Sequence, residues 1–193
     1  MGRPKAWLEV NGETLLHRVV RIVGAACPSV VVVGAPDQPL PPLPEWTVRV
    51  DDPAELVGNG PLTGVLTGLS ALASSGAQLV YIGATDAAWL CTAHVEAMLD
   101  VLASDPAVMA VVPESGSANG HIVHATSGAV RMPIARDTAE RLVRAGERAL
   151  MRLYDGLAAR RVDVAALPDP DAVRSCNTPH DYQAAREWIA RGN

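Results

Sequence analysis

Short runs of apolar residues, each ended by a residue that breaks a strand, set the strongest limit on how this chain can fold. The clearest is Val30–Val33, four valines in a row that are too few for a helix and are followed by Gly34. Continuous apolar runs of this length are typical of strands that are buried on both faces. Similar runs occupy 47–50, 78–82 and 107–112. The pattern therefore predicts a sheet that is covered by helices on both sides.

Segments with a helical repeat of apolar residues lie between and after these runs. They cover 13–25, 61–75, 92–104 and 147–159. Asp137 opens a pattern typical of a capping box, which predicts a helix from there to Ala145. Thr178 and Pro179 have the form of a cap and a first-turn proline, which predicts a C-terminal helix to about residue 190. The alternation of strands and helices predicts an α/β domain of three layers with a mainly parallel sheet.

Composition and charge exclude several other classes of protein. The chain has 193 residues, of which 49% are hydrophobic and 19% charged, as expected for a single globular domain. The net charge of −5 gives no broad basic surface for a nucleic acid. No apolar run reaches the roughly 18 residues that a membrane helix needs. The three widely spaced cysteines predict a reducing compartment, and hence a cytoplasmic protein. The charge and the short apolar runs predict that it binds neither nucleic acid nor membrane.

Acidic residues follow several of the predicted strands. Asp51 and Asp52 come after the second run, Asp86 after the third and Glu114 after the fourth. Ligands of an open parallel sheet bind beyond the carboxyl ends of its strands. One such acid alone is most often a turn former or a helix cap. Several at one edge favour a site for Mg²⁺ and phosphate, because Mg²⁺ combines one or two carboxylates with substrate phosphates.

Two further segments have the residue types of a phosphate site. Gly58–Gly64 opens a predicted helix, where glycines let a ligand approach the backbone N–H groups, although a plain tight turn with Pro61 at the first helical position fits equally well. Arg3 and Lys5 could clamp a phosphate or be simply solvated. Lys5 is the only lysine against fifteen arginines, and this unusual choice favours a function for it.

Five short segments, in order along nearly the whole chain, resemble the motifs of one family. They are Met1–Lys5, Gly60–Gly64, Gly83–Asp86, Gly146–Arg148 and Asn177–Pro179. The first is similar to the end of a Gly-rich leader followed by a lysine, and the others to G-P-L-x-G, G-x-x-D, G-E-R and N-T-P. These motifs belong to the molybdenum cofactor guanylyltransferases and their MobA-like nucleotidyltransferase relatives.

The resemblance implies a Rossmann-like nucleotidyltransferase fold, with residues 1–193 forming a single domain. In this family a molybdopterin phosphate attacks the α-phosphate of GTP in a Mg²⁺-dependent reaction, and pyrophosphate leaves. The resemblance makes Lys5 and Asp86 the catalytic residues. Lys5 would contact phosphate, and Asp86 would be the metal ligand.

The remaining site residues also come from the resemblance. Asp52, with Asp51 as the alternative, would hold the nucleotide, and Gly34 would lie beside the nucleoside. Asn177 would face the molybdopterin-type substrate. The segment that would lie against the base contributes Gly60, Pro61, Leu62 and Gly64. The implied partners are a nucleoside triphosphate, the pterin-type molecule and proteins of molybdenum cofactor biosynthesis.

The sequence departs from the family pattern in four ways. The first strand and the Gly-rich loop of the leader are missing, so we expect a gap in the centre of the sheet with unpaired strand edges beside it. A start assigned too late and a degenerate remnant would both produce this gap. The other departures are Ala88 in place of a proline, Ser175 in place of an asparagine, and a segment around His121 and His124 that does not clearly resemble the family's P-L-x-A-L-Y strand. Gly34, where many relatives have asparagine, adds to the case for an inactive homologue. Two alternatives therefore stay open: a cytidylyl- or sugar-phosphate nucleotidyltransferase, and an inactive homologue that binds a nucleotide or a partner.

Overall fold

The computed structural model describes residues 4–56, 58–117 and 120–191, in which helices and strands alternate. The strands are β1 (Glu9–Val10), β2 (Glu13–Thr14), β3 (Val30–Gly34), β4 (Thr47–Asp51), β5 (Leu79–Gly83), β6 (Ala110–Ser117), β7 (Gly120–Val123), β8 (Ser127–Arg131) and β9 (Arg160–Asp163). The helices are α1 (Leu15–Ala26), α2 (Pro61–Leu72), α3 (Thr92–Ser104), α4 (Ile134–Arg144), α5 (Met151–Gly156) and α6 (Pro179–Ala190). No helix in these ranges is long and apolar enough to span a membrane.

The strands form a five-stranded sheet and two smaller ones. The large sheet has the order β5-β8-β6-β7, with β9 also paired to β6; β3 pairs with β4, and β1 with β2. The predicted parallel pairing is found between β3 and β4 and between β6 and β9. In the large sheet β5, β6 and β9 share one direction, because β8 is antiparallel to both β5 and β6.

The antiparallel strand β8 is the main departure from the predicted sheet. Strand β7 is antiparallel to β6, and β8 follows it after only three residues. Strand β8 keeps the direction of β7 and is therefore also antiparallel to β6. The stretch 113–128, interpreted from the sequence as a surface loop or a hairpin, thus contains the hairpin and the start of β8. The predicted α/β class is confirmed.

Neighbouring residues of β5 pack into different cores, one on each face of the sheet. Ile82 lies in a core that contains Leu62 and Leu69 of α2. Tyr81 lies in another core, with Val19 of α1 and Met98 of α3. Helices α1 and α3 therefore cover one face and α2 covers the other, which gives the predicted three layers.

Local sequence signals located the helix boundaries with mixed success. Helix α6 begins as predicted: Thr178 accepts a hydrogen bond from the N–H of Asp181, whose side chain accepts in return. The capping box predicted at Asp137 is wrong, because α4 already begins at Ile134 after Pro133. The reason is packing: Ala135 and Ala139 are both fully buried in the core beside α2, which extends the helix toward its amino end.

Burial of His94 makes the stability of the fold depend on pH. The ring is fully buried and contacts the carbonyl oxygen of Ser127 at 3.3 Å, and burial lowers the pKa of this imidazole. The unfolded chain binds a proton near pH 6.5 that the folded chain does not, so the contribution of His94 is complete above that pH and is lost as the pH falls. We expect the free energy of unfolding to fall by up to about 1.4 kcal/mol per pH unit below about 6.5.

Urea unfolding between about pH 8 and pH 5 measures this dependence. His94→Gln should flatten the slope. Burial also lowers the pKa of His124, so His124→Gln is the matched variant that separates the two contributions. A slope that is the same with and without His94 would contradict the assignment.

Candidate active site

Three side chains from distant parts of the sequence meet at one point. Lys5, in a short 3-10 turn ahead of β1, donates hydrogen bonds from Nζ to Oδ2 of Asp86 at 2.6 Å and to Oδ1 of Asn177 at 2.5 Å. Asp86 lies three residues beyond the end of β5, and Asn177 directly precedes the cap of α6. The structure thus brings together the two residues predicted to be catalytic and the one predicted to face the acceptor. Met1, Gly2 and Arg3 lie outside the described residues.

Backbone hydrogen bonds fix the relative positions of Asp86 and Asn177. The N–H of Cys176 donates to the carbonyl oxygen of Asp86 at 2.8 Å. On the other side, the carboxylate of Asp181 accepts from the N–H groups of Asn177 and Thr178 at 3.0 and 2.8 Å. These hydrogen bonds lower the pKa of Asp181. The amide of Asn177 is therefore presented by a rigid turn rather than by a free loop.

The turn after Asp86 is held by a buried arginine that the sequence analysis did not single out. Arg18 is only 7% exposed; its Nε donates to the carbonyl oxygen of Ala88 at 3.0 Å, and burial lowers its pKa. A signal was available, since Arg18 lies three residues after Leu15 and four before Ile22 on the apolar face of α1. A charged side chain at a buried position is usually held by a specific hydrogen bond.

The residue that replaces the family's proline has its own role in this turn. Ala88 is fully buried, and its N–H donates to the carbonyl oxygen of Asp86 at 2.9 Å. A proline has no N–H and could not make this hydrogen bond. The turn after Asp86 is therefore stabilised by a backbone hydrogen bond and by the hydrogen bond from Arg18.

A second group of predicted residues meets at the ends of β3 and β4. The N–H of Asp52 donates to the carbonyl oxygen of Gly34 at 2.8 Å, and Oδ1 of Asp52 accepts from the hydroxyl of Thr67 at 2.8 Å. Gly64 is close by, since a Cβ there would lie 3.8 Å from Oδ2 of Asp52. Asp51 instead pairs with Arg49 on the exposed strand. Of the two alternatives, Asp52 is the one that faces α2.

The segment before and within the first turn of α2 is shaped by a contact with Arg148. Gly60 has φ +88° and ψ 175°, a conformation essentially reserved for glycine, and a Cβ there would lie 2.8 Å from the carbonyl oxygen of Arg148. The N–H of Leu62 donates to that same oxygen at 3.2 Å. The segments similar to G-P-L-x-G and G-E-R are therefore in direct contact.

One residue of the predicted base-binding segment has a buried side chain. Leu62 is fully buried in the core, so its side chain cannot lie against a base. Pro61, in contrast, is exposed at the start of α2. Gly60, Pro61 and Gly64 remain as residues of this segment that a ligand could approach.

The carboxylates in the described ranges form no cluster of three metal-binding side chains. Asp86 is nevertheless suited to Mg²⁺, since it offers a hard oxygen ligand with 18% of its side chain exposed. A Mg²⁺ ion that took one ligand from Asp86 would need substrate phosphates and water for the rest, which is usual for this metal. The donor set thus fits a metal that arrives with a nucleotide.

Comparison with solved structures defines the class of the protein. The fold matches 2-C-methyl-D-erythritol 4-phosphate cytidylyltransferase from Thermus thermophilus with a TM-score of 0.73 and 19% identity, over 97% of this chain and 94% of the other. It matches molybdopterin-guanine dinucleotide biosynthesis protein A from Archaeoglobus fulgidus with a TM-score of 0.72 and 16% identity, over 98% and 92%. The fold is that of Rossmann-like nucleotidyltransferases.

The sequence narrows the class to a family. Residues 1–164 match the model of the MobA-like NTP transferase domain, and the chain belongs to this family of nucleotidyltransferases. A probable molybdenum cofactor guanylyltransferase of Mycobacterium tuberculosis strain H37Rv is 35% identical over 167 residues, covering 86% of this chain and 78% of that protein. A protein of the same description from Mycobacterium marinum is 32% identical over 187 residues, covering 95% and 86%.

Proposed function

We propose that this nucleotidyltransferase transfers GMP from GTP to a molybdopterin-type acceptor and releases pyrophosphate. The observation that carries the proposal is the contact of Lys5 with both Asp86 and Asn177. It joins a cation suited to phosphate, a carboxylate suited to Mg²⁺ and an amide suited to a polar acceptor. The choice of nucleotide and acceptor is supported by the mycobacterial relatives, which are described as probable molybdenum cofactor guanylyltransferases.

Lys5 has the part of a phosphate ligand in this proposal. Its side chain is 39% exposed, so the ammonium group can reach a phosphate without leaving Asp86. A fixed cation stabilises the negative charge that develops on phosphate oxygens during transfer. Because Nζ also contacts Asn177, the cation lies between the positions proposed for the nucleotide and the acceptor.

Asp86 has two parts in the proposal. It holds the Lys5 ammonium group at 2.6 Å, and it would supply the protein ligand to Mg²⁺. When bound, the metal would offset charge on the phosphates of the nucleotide. The turn bond from Cys176 keeps the Asp86 carbonyl in place, so that both functions act from one fixed position.

The nucleoside would bind between the two groups of residues. Gly34 and Asp52 lie at the ends of β3 and β4, and Gly64 of α2 is close to Asp52. Gly60 and Pro61 lie at the start of the same helix. The first turn of α2 also brings the positive end of the helix dipole to this edge.

In the proposed reaction, an oxygen of the acceptor phosphate forms a bond to the α-phosphorus of GTP. The bond from that phosphorus to the oxygen bridging the α- and β-phosphates breaks, and its electron pair leaves with pyrophosphate. Catalysis of such a transfer consists mostly of positioning and charge stabilisation. Lys5, Asp86 and Asn177 are arranged for these two tasks.

Cytidylyl transfer is the second candidate, since the fold matches a cytidylyltransferase closely. Calorimetric titration of GTP, CTP and ATP with Mg²⁺, followed by a pyrophosphate-release assay with molybdopterin, separates the candidates. Tight binding of GTP with release of pyrophosphate supports guanylyl transfer. Preference for CTP would favour cytidylyl transfer instead. Binding of a nucleotide without release of pyrophosphate would favour an inactive homologue.

Lys5→Met should weaken the binding of GTP with Mg²⁺ by about tenfold or more, because one charge-assisted hydrogen bond to phosphate contributes about 1.5–3 kcal/mol. Arg144→Met removes a cation from the exposed end of α4 and is the matched control. Calorimetry of both variants measures the effect. Equal affinities for GTP in the two variants would refute the phosphate contact of Lys5.

A further inference from the structure

The side chain of Arg148 leaves the backbone directly beside the segment proposed to lie against the base. A Cβ at Gly60 would lie 3.1 Å from the Cβ of Arg148 and 2.8 Å from its carbonyl oxygen. The two segments can therefore touch only because residue 60 has no side chain. Arg148 itself is exposed, so a ligand that binds beside Gly60 and Pro61 can reach its guanidinium group.

Arg148 differs in its charge partners from the arginines that precede and follow it along the chain. Arg144 is bonded to Glu140 at 2.5 Å, and Arg152 lies 3.6 Å from Glu147. Glu147 directly precedes Arg148, yet its carboxylate pairs with Arg152. Within residues 4–56, 58–117 and 120–191, the guanidinium group of Arg148 makes neither an ion pair nor a hydrogen bond. Its N–H donors are therefore available to a ligand.

The backbone that carries this free side chain is fixed. The carbonyl oxygen of Arg148 accepts a hydrogen bond from the N–H of Leu62 at 3.2 Å. Leu62 is fully buried, and Leu150, two residues after Arg148, is 3% exposed in the same core. The side chain of Arg148 thus starts from a fixed point beside α2. A donor that is positioned in advance loses less freedom when a ligand binds.

The chemistry of a guanidinium group favours one base over the others. Arginine presents a planar fork of N–H donors and has no acceptor. Guanine offers two neighbouring acceptors, O6 and N7, and two parallel hydrogen bonds from arginine to this pair are the commonest base-specific contact in protein–DNA complexes. Adenine has a donor at N6 beside N7, and cytosine has a donor at N4. An arginine beside the base therefore favours guanine over both.

We propose that Arg148 selects the base of the nucleotide by donating two hydrogen bonds, to O6 and N7 of guanine. This role rests on the proposed function, in which GTP is the substrate and its base lies beside Gly60 and Pro61. The contact between the segments similar to G-P-L-x-G and G-E-R then has a function, because it holds Arg148 next to the base. Arg148 determines specificity and takes no part in the transfer itself.

Calorimetry with Mg²⁺ and GTP, CTP or ATP tests this role in the wild type and in Arg148→Met. The substitution should weaken the binding of GTP by about tenfold or more, the usual effect of losing one bidentate contact to a base, and should leave the affinities for CTP and ATP nearly unchanged. Arg144→Met removes an exposed cation from α4 and should leave the affinity for GTP unchanged. Unchanged GTP affinity in Arg148→Met would overturn the proposal. An equal loss for all three nucleotides would also overturn it, because that result indicates a contact with phosphate.

Two nucleotide analogues locate the contact on the base. The analogue 7-deaza-GTP has a C–H group in place of N7, and the wild type should bind it about fivefold or more weakly than GTP. Arg148→Met should bind the two alike, because the partner of N7 is gone. Inosine triphosphate keeps O6 and N7, so Arg148→Met should weaken its binding by the same factor as that of GTP. A preference for GTP over 7-deaza-GTP that persists in Arg148→Met would overturn the proposal.

The failure of this role and that of the proposed function are distinguishable. A wild type that prefers CTP to GTP would contradict guanylyl transfer, and with it the selection of guanine by Arg148. A wild type that prefers GTP, with the full preference kept in Arg148→Met, would overturn the role of Arg148 alone. Urea unfolding should be the same for Arg148→Met and the wild type, because the side chain is exposed and the hydrogen bond to Leu62 uses only the backbone.

Discussion

Asp86→Asn is expected to reduce Mg²⁺-dependent turnover of GTP by at least about 100-fold, the usual cost of removing one group that stabilises the transition state electrostatically. Asparagine keeps the shape of the side chain but removes the charge that holds Lys5 at 2.6 Å and that would bind the metal. Pyrophosphate release with GTP and molybdopterin measures the loss. The fold should be retained, because the backbone bond from Cys176 to residue 86 does not involve the side chain.

Two comparisons make this prediction specific to the site. Asp100→Asn removes a carboxylate from an exposed position of α3 and should leave turnover unchanged. The double variant Asp86→Asn with Lys5→Met should lose much less than the product of the two single losses, because the two residues act as a unit. Unchanged turnover in Asp86→Asn would remove this residue from the site.

The second large effect is expected at Gly60, where Ala should lower the free energy of unfolding by about 3 kcal/mol. The backbone there has φ +88° and ψ 175°, and the new Cβ would lie 2.8 Å from the carbonyl oxygen of Arg148. The loop must therefore move away from the G-E-R segment. Urea unfolding measures the loss, and GTP affinity should fall with it.

Gly58→Ala is the matched control for this experiment. Gly58 also has a positive φ, +77°, but a Cβ there would meet no atom within 4 Å. We expect a cost of about 1 kcal/mol, from the left-handed conformation alone. If both variants lose the same stability, the contact with Arg148 does not constrain Gly60.

Local signals predicted the part of the site that depends on where strands and helices end. Asp86 and Asp52 were found because each follows a short apolar run. The resemblance added Lys5 and Asn177 to this set. The structure places Lys5, Asp86 and Asn177 in contact, and puts Asp52 beside Gly64.

Features that depend on tertiary packing were not predictable in this way. Leu62 and Pro61 are adjacent in one motif, yet only the packing of α2 shows that Leu62 faces the core. Helix α4 begins at Ile134 and not at the predicted Asp137, because the burial of Ala135 outweighs the capping pattern. The sequence could not reveal that Arg18 donates to Ala88, seventy residues away.

The lysine at the site gives the chain an unusual chemical property. Acylating and aldehyde reagents modify primary amines and leave guanidinium groups largely untouched, so among fifteen arginines the side chain of Lys5 is the sole such target. Its side chain is 39% exposed, and its ammonium group is bonded to Asp86, the proposed metal ligand. One amine-reactive label, distinguished from the α-amino group by pH, would therefore report on this site alone, without any engineered cysteine.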